Sequence, residues 1–129
     1  MSRQFMYESP GIPELLEEWL AWASDPDGQS PGHMEFLSVV EEEPEKGWSA
    51  ILATLQDRRH EPYLGKVAAG PLEDLLSHHG SEFIDRIGAE AKIDRRLAWM
   101  LSILYQGNIT DSVWERVQLA TKDIGPDNA

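Results

Sequence analysis

Apolar positions recur along most of this chain at the spacing of one helical face, and nowhere do they alternate as in a half-buried strand. Leu15, Leu16, Trp19, Leu20, Trp22 and Ala23 predict a first helix, with Glu14, Glu17 and Glu18 on its other side and Pro13 in its opening turn. The Ser, Asp, Pro and Gly residues between Ala23 and Gly32 predict a loop. A second helix is expected from His33 to Glu42, with Phe36, Leu37 and Val40 inward. A third opens at Pro44, because Trp48, Ile51, Leu52 and Leu55 fit the i, i+3, i+4, i+7 pattern.

The second half divides further. A short helix through Tyr63, Leu64 and Val67 is expected to end at Gly70. Pro71 then starts a helix with Leu72, Leu75 and Leu76 on one face and Gly80 as its stop. Ser81 is read as the cap of a helix bearing Phe83, Ile84, Ile87 and Ala91. Asp94 caps another with Leu97, Met100, Leu101 and Leu104, closed at Gly107-Asn108. The last carries Val113, Trp114, Val117 and Ala120, opened by a Ser112–Glu115 capping box or by Thr110. The tail, 122–129, is expected to fray.

The result is a single all-α domain over 1–129, with seven or eight short helices. They form either a compact irregular bundle or a short stack of helical hairpins like a HEAT fragment.

Composition narrows the classes of function. The absence of cysteine excludes disulfide scaffolds, Cys-ligated zinc, iron–sulfur clusters and thiol nucleophiles. The net charge of −12, from 23 acidic and 11 basic residues, argues against direct binding to nucleic acid or to an anionic membrane. Residues 1–47 hold 11 of the acids but only Arg3 and Lys46 as bases, a local net of −9. The first residues lack the apolar stretch of a secretory signal, so a cytoplasmic protein is expected.

One motif carries a resemblance. Ala68-Ala69-Gly70-Pro71-Leu72-Glu73-Asp74-Leu75-Leu76 followed by Gly80, with Trp48 upstream and Trp114-Glu115-Arg116-Val117 downstream, resembles an uncharacterised family of short bacterial helical proteins. The similarity spans residues 46–120 and leaves the acidic segment 1–47 largely outside. Asp94-Arg95-Arg96 stands where that family has an Asp-Pro turn. The resemblance implies a bacterial source and a helical fold, with no activity attached and no cofactor.

Candidate chemistry is sparse. Glu73 and Asp74 suit the start of a helix, where Glu73 is expected to accept from the Gly70 N–H. Asp74 precedes His78 by one turn, and with His79 the three are the candidate metal or general-base cluster. No phosphate-binding glycine loop, nucleophile elbow or EF-hand loop is present. Arg58-Arg59-His60 and Arg95-Arg96 sit beside acids and predict local ion pairs, while Trp22 or Trp99 is a candidate exposed anchor.

The preferred expectation is therefore a non-enzymatic interaction module. Glu14, Glu17, Glu18, Glu41, Glu42, Glu43 and Glu45 would meet a basic protein partner, in the manner of immunity or inhibitor proteins. The alternatives are a metal-binding protein or hydrolase using Asp74, His78 and His79, and a structural or homo-oligomeric scaffold.

Overall fold

Proline and aspartate set most of the helix starts. In the computed structural model, which describes residues 9–122, α1 (Ile12–Ser24) has Pro13 in its first turn and α3 (Pro44–Gln56) opens on Pro44. A proline there loses no hydrogen bond, because the first four helical N–H groups have no partner within the helix. Between them, α2 (Gly32–Glu42) follows a loop held by Ser30, whose hydroxyl donates to the Glu18 carbonyl at 2.6 Å and accepts from the Gly32 N–H. Asp57 and Asp94 cap two later starts through the N–H groups of Arg59 and Arg96, each at 3.0 Å. Asp57 opens a 3-10 turn, Arg58–Tyr63, and Asp94 opens α6 (Arg95–Ser102).

The Gly70-Pro71 break expected from the sequence is bridged. The four-residue helix α4 (Leu64–Val67) continues through a π turn, Ala68–Leu72, into α5 (Glu73–Ile93). A proline ring inside an α-helix collides with the carbonyl four residues back, and the wider i→i+5 turn leaves room for it. The stop expected at Gly80 falls one residue past a real break. Two helical stretches of α5 meet in a kink at His79 (φ −138°, ψ 28°), beside the expected Gly80 stop and Ser81 cap. What needs the glycine is α7 (Asp111–Thr121): a Cβ on Gly80 would lie 2.9 Å from the Val113 side chain. Thr110, not Ser112, holds the cap position of α7.

The described residues are all-helical, with six helices of eight or more residues and the four-residue α4, close to the seven or eight short helices expected. α1 packs on α2 and α2 on α3, while α6 and α7 pack on α5 and on each other. α2 and α3 both reach α5 across the middle, and α1 also touches α3. Contacts that skip neighbours belong to a compact bundle, whereas a solenoid joins successive units only. The core is continuous, from Leu15, Trp19 and Phe36 through Ile51, Leu72 and Leu75 to Phe83, Leu97 and Met100. No helix among the described residues is long and apolar enough to cross a membrane. The expected fraying of 122–129 falls almost wholly outside the described residues.

Candidate metal centre

Where α2 ends against the first turn of α5, one ligand atom each from Glu41, Asp74 and His78 lies within 4.8 Å of the others. Helix periodicity explains half of the arrangement: Asp74 and His78 are one turn apart and share a face of α5. The His78 Nδ1 lies 3.0 Å from the Asp74 carbonyl oxygen and 3.5 Å from its Oδ1. Glu41 comes from the last turn of α2, where the helix dipole is negative and no basic side chain offsets it. The contact between α2 and α5 is secured by His79, whose Nε2–H donates to the Glu41 carbonyl at 2.8 Å. Its Nδ1 stands 3.3 Å from a Glu82 carboxylate oxygen.

Asp74 is the unusual member. Its Oδ2 is buried and has no hydrogen-bond donor. Burial raises its pKa to about 7, the adjacent Glu41 carboxylate adds to the rise, and His78 opposes it. A proton on Asp74 would donate toward Glu41. Glu73 is also raised by burial, and it does not take the capping role expected of it. It lies instead against the Gly107 turn, its Oε2 3.2 Å from where a Cβ would sit.

Of the expected cluster, the fold thus joins Asp74 and His78 and directs the His79 ring to α2's terminal carbonyl. Glu41, read from the sequence as part of an acidic run, completes the group. No sequence signal could place it there, because its approach to Asp74 depends on how α2 crosses α5.

The other expected docking residues are scattered over the surface. Glu14, Glu42 and Glu43 are exposed, and Glu18 contacts Ser30 at 3.0 Å. Glu17 is held by Arg59 at 2.6 Å and Glu45 by two bonds of 2.8 Å from Arg86, which lower both carboxyls below their usual range. Arg96 pairs with Asp94 at 3.2 Å, and Arg116 with Asp85. Trp99 is 46% exposed, whereas Trp22 is half-buried and stacks on His33 at 4.3 Å.

A family model of unknown function, DUF6869, matches residues 26–124. The chain belongs to this family. The match begins well before residue 46, so α2 and Glu41 lie inside the DUF6869 region together with Asp74 and His78, while α1 lies outside. No curated protein and no solved structure matches the chain.

Proposed function

We propose that this DUF6869 protein binds a divalent transition-metal cation through Glu41, Asp74 and His78. The observation that carries the reading is the Asp74 carboxylate: its buried Oδ2 has no hydrogen-bond partner, and the group lies together with a second carboxylate and an imidazole, one ligand atom of each within 4.8 Å of the others. A dication would relieve the repulsion between the carboxylates and supply the missing partner. Two oxygens and one nitrogen suit manganese, iron or zinc better than calcium or magnesium, which favour all-oxygen sites. The half-exposed His78 leaves the remaining coordination positions open to water. We assign no reaction to the site.

Melting curves with and without metal test the proposal. A cation at about 100 times its dissociation constant should stabilise the fold by roughly 2.7 kcal/mol. Zinc or manganese should raise the melting temperature, magnesium should do so less, and His78→Ala should remove the effect. An unchanged melting temperature with zinc and manganese, or an equal shift in His78→Ala, would overturn it.

A second reading keeps the acidic docking surface, supported by Glu41, Glu42 and Glu43 exposed in succession at the negative end of α2. Glu17 and Glu45 contribute less, being paired within the chain. Binding to a basic protein should then weaken steeply with salt and with Glu42→Gln/Glu43→Gln. The bacterial, cytoplasmic setting expected from the sequence belongs to these proposals.

A further inference from the structure

His60 is fully buried, yet neither ring nitrogen makes a well-formed hydrogen bond, the backbones of Asp57 and Leu16 offering only weak ones. Its ring stacks on Trp19 of α1, centroids 5.8 Å apart and planes 22° from parallel. The indole Nε1 of Trp19 is itself buried and unpaired, so three polar nitrogens meet here without well-formed hydrogen bonds. Each unpaired buried polar group costs stability, and a core built only for stability would hold apolar side chains here.

We propose that the 3-10 turn Arg58–Tyr63 is an acid-opened latch, seated on α1 by a neutral His60 and released when that ring takes up a proton. The closed turn offers the imidazolium no free counter-charge. Asp57 Oδ2 is 3.7 Å from His60 Nδ1, but both Asp57 oxygens are engaged by the Arg59 guanidinium, at 3.1 and 2.7 Å. Asp57 still favours a proton on the ring, but burial outweighs it, and Arg59, which also spans to Glu17 on α1, opposes a second cation beside it. Glu61 lies toward Arg96 of α6 at 4.0 Å. Lys66 of α4 donates to the Ala23 carbonyl, and Thr54, Leu55 and Gln56 at the end of α3 carry no charge.

Burial accordingly lowers the His60 pKa in the closed state, while an open turn returns the ring to water. The proton therefore binds the open form. Its population should grow about tenfold per pH unit below about 6.5, until the seated ring itself titrates. This device is independent of the metal reading.

Amide hydrogen exchange at pH 7.5 and 5.5, corrected for intrinsic rates, is the test. Opening of residues 58–61 and 63 should rise about tenfold while α5 stays protected, and His60→Gln should abolish the pH step. If the glutamine variant does not fold, the ring proton resonances of wild-type His60 decide: titration well below 6.5, in step with changes at 57–63, supports the latch. Exchange in the turn that is independent of pH, a step that persists in His60→Gln, or a seated ring that titrates near 6.5 would overturn it.

Discussion

Gly32→Ala should be the most damaging small substitution in the chain. A Cβ at position 32 would overlap the backbone of Glu18 and Trp19, so α1 and α2 could not keep their present crossing. A flexible side chain could turn aside, but a carbonyl and an amide inside a helix cannot. Overpacking typically costs about 1–3 kcal/mol, and a clash against fixed backbone belongs at or above the top of that range. In urea titrations the midpoint should fall without a large change in slope. Gly88→Ala is the matched control. Nothing lies within 4 Å of a Cβ at that helical position, so it should stabilise by about 0.5–1 kcal/mol by restricting the unfolded chain. Equal effects at the two positions would refute the close-approach account.

Asp74→Asn should make the metal-free protein more stable at pH 8 and abolish the metal-induced shift. An acid whose pKa is raised on folding stabilises most fully when protonated, below its unfolded value near 4. That contribution is lost as pH rises toward the folded value of about 7. At pH 8 the wild type therefore carries two like charges that the amide would replace with a neutral donor facing Glu41. A gain of about 2 kcal/mol is expected, or roughly 5–10 °C in melting temperature, shrinking toward zero near pH 4. Destabilisation at pH 8 would mean that Asp74 is not repelled by its surroundings. His60 runs the other way, since its lowered pKa removes stability as pH falls below about 6.5. The two dependences overlap below about pH 6.5 and oppose one another there, and zinc or manganese should remove the Asp74 loss at the upper end. A retained carboxyl that weakens the fold is the pattern expected of a functional group.

Much of this was legible without coordinates. The inward faces of the helices are as the spacing predicts, with Trp19, Phe36, Ile51, Leu75 and Met100 buried, and Asp94 does cap its helix. The misreadings concern punctuation. Gly70-Pro71 reads as a stop because such residues end isolated helices, while Gly80 reads one residue away from the actual kink at His79. In the fold, a π turn absorbs the proline and the second glycine makes room for Val113. Arg58-Arg59-His60 read as local ion pairs with neighbouring acids, and Arg59 does pair with Asp57 and Glu17, but the histidine between Arg59 and Glu61 is in the core. A 3-10 turn points successive residues in directions that helical spacing does not anticipate.

By itself, then, the sequence determined that the chain is helical, where most helices begin, which face of each is apolar, and that the acids concentrate before Trp48. All of these follow from neighbours a few residues apart, the range over which backbone periodicity and capping act. Only the tertiary structure decided that Glu41 meets Asp74 and His78, that His60 stacks on Trp19, and that Gly32 and Gly80 sit where backbones and side chains crowd. Those pairings join residues far apart in the chain. They are set by which helix surfaces fit together once the apolar faces are buried, and that fit belongs to the assembled helices rather than to any local stretch.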